Sequence, residues 1–559
     1  MLNRKVGSFQ SCTNHSRDVR LRKNTSFNSS FFVNNSCFLY LVDTSKSTPM
    51  HHIDQEIDRF QLSMMDLESM VDQNSYARLV DLFVQSLPLE QFGFTHTTHE
   101  TTGRPPYHPS VLLKLYMYGY RHGIRSSNKL HQACLVNVEV WWLLKGLKPS
   151  PRTICYFRKN NAKAFKKAFQ HFVLLLKEWK LIDGQTIAID SFKIRAQNSL
   201  KNNFNQKKID RHIAYINTKI KTYEQQLEAI ELPEEDSCEI KNKIKYQNQK
   251  KQNYKALEKQ LKDSGQRQMS TTDPDARSVI LHRNIVNVGY NIQAGSDSKH
   301  KLFTNAQTGH VNDTHALADM ALEVKELLAV PSMNTLTDKG YTTGAEIAKC
   351  SENGITTFSS PKEHSSQKNG LFDMQIFDYN SIEDTYTCPA GEVLVTNGKW
   401  YHKNNHLVKH FKTKACKGCL LRAQCTKNKN GRFIERNFYQ NHLEENKARV
   451  DANPEYYRQR QQVTEHQFGT LKRQWHFTHT LVKGKQNVLS EVYLNFSAYN
   501  LLRCVQILGV KSLKNKLKML VFEFRSQIKA FVVDLKDYLK RERMQLQYFL
   551  RENNGLEVL

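Results

Sequence analysis

No stretch of this chain approaches the roughly 18 consecutive apolar residues that a membrane span needs. The runs Val140 to Leu147 and Leu520 to Phe524 are short and interrupted by charge, so no membrane role is expected. The segment Phe31 to Val42 is broken by Asn34, Asn35 and Ser36 and carries no convincing signal-peptide cleavage pattern. Acidic residues are also scarce: 54 Asp and Glu stand against 81 Lys and Arg, a net charge of +27. Such an imbalance favours a polyanionic partner, because basic surfaces bind phosphates by releasing counterions. Nucleic acid comes first, an anionic membrane surface second. Eleven cysteines in 559 residues are too dilute for a secreted disulfide scaffold, and reduced thiols in a cytoplasmic protein are expected.

What is present divides into about three or four units. Residues 1–49, rich in Ser, Asn and basic side chains, have no sustained period and are expected to be a disordered or non-native leader, with Met50 a candidate start. Residues 50–180 are expected to form a helical DNA-binding domain. Gly103-Arg-Pro-Pro-Tyr107 is a breaker cluster. His108 to Arg121 and Ser126 to Val136 predict two helices joined around Gly123, and a third follows Pro151 with Arg152, Arg158, Lys159, Lys163, Lys166 and Lys167. Three short helices with a basic last one suit a helix-turn-helix reader; a small bundle with a solvated charged face accounts for the same pattern.

Residues 181–502 change period. Thr186-Ile-Ala-Ile-Asp190 and Asn334-Thr-Leu-Thr-Asp338 predict buried strands, each closing on an aspartate, and Val279-Ile-Leu and Val286 to Ile292 predict further strands with turns at Gly289 and Gly295. Thr343-Gly-Ala-Glu346 predicts a capping box, and Gly354 a helix stop before the strand Ile355 to Phe358. The alternation argues for an α/β fold, a mixed sheet with flanking helices. Two insertions interrupt it. Residues 205–264 predict a helical hairpin, since Ile209, Ile213, Ile216, Ile220, Tyr223, Leu227 and Ile230 alternate by four and three; it either dimerises or packs on itself. Residues 365–435 carry cysteines, and residues 503–559 predict a basic helical segment.

Asp190 and Asp338, at the ends of two buried strands, are hard to explain as solubilising acids, because burying an unpaired charge is costly. Within the helix expected from Tyr456 to Lys472, Arg458, Glu465 and Lys472 repeat every seven residues and share a face. Three acids from three elements could hold two divalent cations about 3.5 to 4 Å apart, the arrangement that serves phosphodiester transfer, with Arg458 and Lys472 on DNA phosphates. Asp297 and Asp313 are rival second acids, ranked lower because they sit beside turn residues. Cys388, Cys416, Cys419 and Cys425, with a Cys-x-x-Cys knuckle, could close a structural Zn²⁺ site or remain unliganded thiols.

The blocks Asp190-Ser-Phe-Lys-Ile-Arg-Ala-Gln-Asn198, Thr272-Asp-Pro-Asp-Ala-Arg277, Gly289-Tyr-Asn291, Thr337-Asp-Lys-Gly-Tyr341 and Tyr457-Arg-Gln-Arg460, followed by Glu465-His-Gln-Phe-Gly-Thr-Leu-Lys472, resemble those of bacterial insertion-sequence DDE transposases. Gly103-Arg-Pro-Pro106 and Arg152-Thr-Ile-Cys-Tyr-Phe-Arg158 resemble their helical N-terminal domain. The likeness runs in order from about Asp58 to Leu502. It implies an RNase H-like catalytic domain, Mg²⁺ or Mn²⁺ as cofactor, binding of terminal inverted repeats and target DNA, a homodimer on paired DNA ends, and a nucleoid-associated location. It assigns the three acids to Asp190, Asp338 and Glu465 and includes a similar cysteine-bearing insertion. Departures exist. Ser191 stands where a Gly is usual, Pro151 where a His is common, and Gln461 where the tyrosine-arginine-glutamate-lysine signature has Arg, so Arg458 or Arg460 would substitute. The competing class is a catalytically silent DNA-binding derivative of such an enzyme, and a nuclease without strand transfer is a third.

Overall fold

The computed structural model describes residues 66–97, 105–228, 234–282, 285–362, 370–403 and 406–554. The leader 1–49, the candidate start Met50, Gly103 and Arg104 of the breaker cluster, and Ile230 and Pro233 lie outside the described residues.

The N-terminal part is helical, as expected: α1 (Tyr76–Gln85), α2 (Leu89–Phe92), α3 (Pro109–Arg121), α4 (Ser127–Val136), α5 (Val138–Leu144), α6 (Pro151–Asn160) and α7 (Ala162–Glu178). Two details depart from expectation. The apolar run after Asn137 is a helix of its own, α5, because the Asn137 side chain accepts from the Val140 amide and starts it. The basic helix after Pro151 breaks at Asn161, whose side chain donates to the Phe157 carbonyl (2.9 Å) and accepts from the Thr95 amide (2.8 Å). Tyr116, Tyr120, Phe169 and Phe172 fill the core between these helices.

The central sheet comprises β1 (Thr186–Arg195), β4 (Arg277–His282), β5 (Ile285–Asp297), β6 (Leu302–Thr308), β7 (Met333–Thr337) and β8 (Ile355–Ser359), while β2 (Asn203–Phe204) and β3 (Met269–Ser270) pair separately. β1 lies antiparallel to β5, which carries β6 and β4, and parallel to β7, which is parallel to β8. The path β6-β5-β1-β7-β8 is the mixed order of an RNase H-like sheet, so the expected α/β fold class is met. Gly289 and Gly295 are not turns; both lie inside β5. A Cβ at Gly289 would stand 2.2 Å from the Ile194 carbonyl oxygen, and one at Gly295, beside a register shift, 2.9 Å from Thr304 Oγ1. Glycine is there for close approach.

Between β2 and β3 run the hairpin helices α8 (Gln206–Glu228) and α9 (Glu234–Asp263). The hairpin packs on itself: Ile209, Phe204 and Leu261 form a buried cluster with Tyr254 and Leu257 against it. α10 (Leu317–Leu328) packs against β6, β5 and β1, and α11 (Gly344–Glu352) against α10 and β8. The expected capping box does not form. Thr343 makes no side-chain cap bond, and Glu346 instead accepts from the Ala318 amide (2.9 Å), bridging α11 to α10.

The cysteine-bearing insertion builds a second sheet from β9 (Asp378–Asn380), β10 (Thr385–Thr387), β11 (Val393–Thr396), β12 (Tyr401–Lys403), β13 (His406–Lys412) and β14 (Phe433–Asn437), with the short α12 (Arg422–Cys425) before β14. The chain returns through α13 (Gln440–Ala452) and α14 (Pro454–Gly469), then a π-helical turn (Thr470–Gln474), α15 (Lys485–Leu508) and α16 (Val510–Asn554). α15 packs against α3, α7 and β6, tying the N-terminal helices to the sheet. It also runs unbroken across the boundary expected between residues 502 and 503.

Candidate active site

Parallel pairing of β1 with β7 ends at Ile189↔Thr337. Asp190, still within β1, and Asp338, the residue just after β7, come next, so two carboxylates stand abreast where the ladder stops. Asp338 closes its strand, as expected. Asp190 does not: β1 continues to Arg195, paired with β5 throughout and bridged to His479 at Arg195, with Asp190 opposite Ala294. The site therefore sits where one neighbour of β1 leaves and the other stays. Asp338 accepts from the Lys339 amide and begins a single 3-10 turn, Lys339–Tyr341. Asp190 accepts from the Ser191 amide (2.7 Å) and from Arg460 Nη1 (3.3 Å). Burial pushes the Asp190 carboxyl above the usual carboxylate range and the Asp338 charge adds to this, while Ser191, Arg460 and Thr464 oppose it.

α14 lies across β1, β5 and β7 on one face. The Tyr457 hydroxyl donates to the Thr337 carbonyl (3.0 Å), the Tyr456 hydroxyl meets Thr186 Oγ1 (2.7 Å), and Ser296 Oγ donates to Gln467 (2.5 Å). Of the two candidate arginines, Arg460 reaches Asp190; Arg458 is exposed. Glu465 is exposed, one residue from Thr464 on the same helix. Among the described residues no three His, Cys, Asp or Glu side chains stand ready around one metal position. Lys472 leaves the seven-residue repeat, because the helix widens into the π turn after Gly469. Its Nζ sits 5.7 Å from the centre of the Phe192 ring, and burial lowers its pKa against the pull of Asp190.

A polar cluster that the sequence did not announce adjoins the pair. Asp313 Oδ1 accepts from Asn291 Nδ2 and Gln293 Nε2, both at 2.8 Å, and the buried Tyr341 hydroxyl donates to Gln293 Oε1. Asp313, Asp190 and Asp338 all act electrostatically on Tyr341, whose pKa burial has already raised. The available signal was the pair of amides, Asn291 and Gln293, two apart in a strand where successive odd positions share a face.

Asp297, the other rival acid, lies elsewhere and is fully buried. It accepts from the Gly184 (3.0 Å), Asp183 (3.2 Å) and Lys299 (3.0 Å) amides. Burial and then the neighbouring Asp183 lift its pKa to about 7. A carboxyl raised this way contributes stability that is full below its unfolded pKa near 4 and is lost as pH rises through about 7. Asp183→Asn is expected to make that loss smaller by ~1–2 kcal/mol, given about 1.4 kcal/mol per pKa unit. Denaturant midpoints of parent and variant from acid to neutral pH check this; parallel profiles contradict it.

Arg158, expected on DNA, is corrected. It is 2% exposed, donates to the Tyr120 hydroxyl (2.9 Å), and faces Glu491 (3.9 Å) together with Arg125 (2.6 Å). A guanidinium sealed in this network cannot meet a phosphate. Arg152 is exposed, stacked over Tyr156. In the insertion, all four candidate cysteines are free thiols, and Cys425 feels the other three. Its pKa is raised first by burial, against Arg432.

An RNase H-like sheet with two aspartates abreast, fed by an N-terminal helical unit, defines the class of fold. The Transposase domain (DUF772) family matches residues 65–160, and the Transposase DDE domain family matches residues 387–505, a span containing Glu465, Lys472 and the four cysteines. These matches support a DDE transposase. No curated protein matches it. Among solved structures, a piggyBac transposase synaptic complex with hairpin DNA is similar at 11% identity and a TM-score of 0.32, covering 86% of this chain and 84% of that chain; so loose an overlap carries no argument. No helix among the described residues is long and apolar enough to cross a membrane.

Proposed function

We propose that this transposase binds the terminal inverted repeats of an insertion sequence, cleaves DNA at the element ends and joins the freed 3′ ends to target DNA. The observation that supports this most is the placement of Asp190 beside Asp338 at the end of the β1–β7 ladder. Burial and then the neighbouring Asp338 charge disfavour ionisation of Asp190, and the hard oxygens of the pair suit a divalent cation better than a soft one. In this reading Asp190, Asp338 and Glu465 would hold Mg²⁺ or Mn²⁺, which would supply charge neutralisation for an in-line phosphodiester transfer. Arg460 orients Asp190 and offsets part of its charge. Arg458, Lys472 and Arg152 contact phosphates, which the charge of +27 draws in from a distance.

The same reading makes residues 50–180 the DNA-binding domain and 181–502 the catalytic domain, places the protein in the cytoplasm on the nucleoid, and has two copies act on paired ends. Substituting each acid by its amide and assaying metal-dependent cleavage of an end-bearing duplex tests it; uncut product with binding retained is expected. The catalytically silent derivative is the weaker reading, since all three acids are present.

The four thiols of the insertion fit a structural Zn²⁺ by donor type. About one zinc per chain is expected in purified protein, with Cys416→Ser or Cys419→Ser losing it and loosening the insertion to protease. Metal-free, protease-resistant protein would remove the idea.

A further inference from the structure

The insertion sheet buries one face and, apart from the covered Val408, leaves the other open among the described residues. Phe411, Ile434, Leu394 and Tyr386 close the inner face with Phe377. The register puts Val395, Lys412 and Phe433 in one row, with His410 and Val408 following along β13 and Tyr401 opposite Val408. These are the alternate positions and so share the outer face. There the rings of Tyr401 and His410 stack at 4.3 Å, and His410 meets Phe433 at 4.5 Å, making an aromatic row across β12, β13 and β14. Yet Tyr401 is 37% exposed, Phe433 42% and Val395 56%. Aromatic and β-branched side chains gathered on one open sheet face mark an interaction surface more often than a solvated one.

Charge decides what meets it. From Val393 to Arg436 the chain has eleven Lys and Arg and one acid, Glu435. Glu435 is already paired with Lys403. Lys412, Lys414, Lys417, Lys427 and Lys429, all exposed, continue from the aromatic row into the cysteine knuckle. Flat rings beside a basic border complement a ligand with flat faces and a phosphate chain. A duplex hides its base faces by stacking them on one another, and only unpaired nucleotides can lay them on a ring.

We propose that the outer face of this sheet binds single-stranded DNA, with Tyr401 and Phe433 as stacking positions and Lys412 and Lys414 on the backbone. This rests on the protein's handling DNA but on neither cleavage nor a metal. The full chain carrying Asp190→Asn, in buffer without added Mg²⁺ or Mn²⁺, is titrated against a fluorescein-labelled oligothymidylate and, separately, a duplex of equal length. Tyr401→Ala/Phe433→Ala is expected to weaken the single strand ~10-fold or more, since each lost stacking contact is large, while duplex affinity is unchanged. Tyr401→Phe should bind like the parent, which separates loss of the ring from loss of folding. Lys412→Ala/Lys414→Ala should lower the slope of log affinity against log salt by ~1.4. Parent-like single-strand binding by the double aromatic variant, equal losses on the duplex, or no single-strand binding by the parent would each overturn the proposal. Failed cleavage by the unmutated chain with this binding intact would count against the catalytic reading only.

Discussion

Asp190→Asn, Asp338→Asn and Glu465→Gln are each expected to lower metal-dependent cleavage by ~10³-fold or more, equivalent to about 4 kcal/mol of transition-state stabilisation, while DNA binding persists or tightens slightly. The amides preserve shape, so β1 and β7 should stay paired, and removing a negative charge next to a phosphate chain cannot repel it further. Asp313→Asn is the informative control. Asp313 already accepts from two amides through Oδ1, so its Asn variant is expected to cleave with a far smaller loss. If Glu465→Gln cleaved like the parent and Asp313→Asn did not, the third ligand would move to Asp313. A second readout needs no cleavage at all. Mg²⁺ at about 100 times its dissociation constant should stabilise the parent by ~2.7 kcal/mol, and much less in Asp190→Asn. That shift should shrink as pH falls, because burial raises the Asp190 pKa and protons then compete with the cation.

Local pattern made much of this legible. Thr186 to Asp190 reads as a buried strand because its apolar residues are β-branched or small, and both its faces are covered. The seam Ile209, Ile213, Ile216 and Ile220 reads as a hairpin because its period is set by the chain itself. Where sequence misled, the cause lay in a contact formed across the fold. Gly289 looks like a turn until Ile194 is seen against it. The seven-residue repeat of Arg458, Glu465 and Lys472 assumes an uninterrupted α-helix, but the π turn ends that register before Lys472. The face of α14 that matters is set by Tyr456, Tyr457, Arg460, Thr464 and Gln467, which meet the sheet, and that selects Arg460 over Arg458. Asp338 was recognisable as a strand-ending acid, whereas its position beside Asp190 depends on the parallel register, which no periodicity encodes. Arg158 looked like a DNA contact because its helix is basic and its acidic partner lies hundreds of residues away.

That partner carries the largest expected effect on stability. Glu491 is fully buried in α15. Its Oε1 meets Arg125 Nη2 at 2.6 Å and Arg158 Nη1 at 3.9 Å, and its Oε2 accepts from the Leu481 amide at 3.0 Å. Burial alone would raise the Glu491 pKa, yet the two arginines hold it below the usual carboxylate range, so it is ionised in the folded protein. Arg125 also donates to the His476 (3.0 Å) and His479 carbonyls. One carboxylate thus locks the α3–α4 turn, α6 and the segment after α14 together. Glu491→Gln keeps volume and an acceptor for Leu481, but leaves two guanidiniums in the interior with only neutral acceptors and no counter-charge. The expected loss is ~3–5 kcal/mol, seen as a lower denaturant midpoint. The charges themselves are the cause if Arg158→Met added to Glu491→Gln recovers part of that loss, since it removes one stranded cation. If the double variant is instead less stable than Glu491→Gln alone, packing around the Arg158 stem governs the site. Because the lock reaches His476 and His479 just beyond the π turn, Glu491→Gln should also speed proteolysis between α14 and α15. A variant whose whole loss falls among α1 to α7, with that segment still protected, would show that the network stabilises the helical part alone.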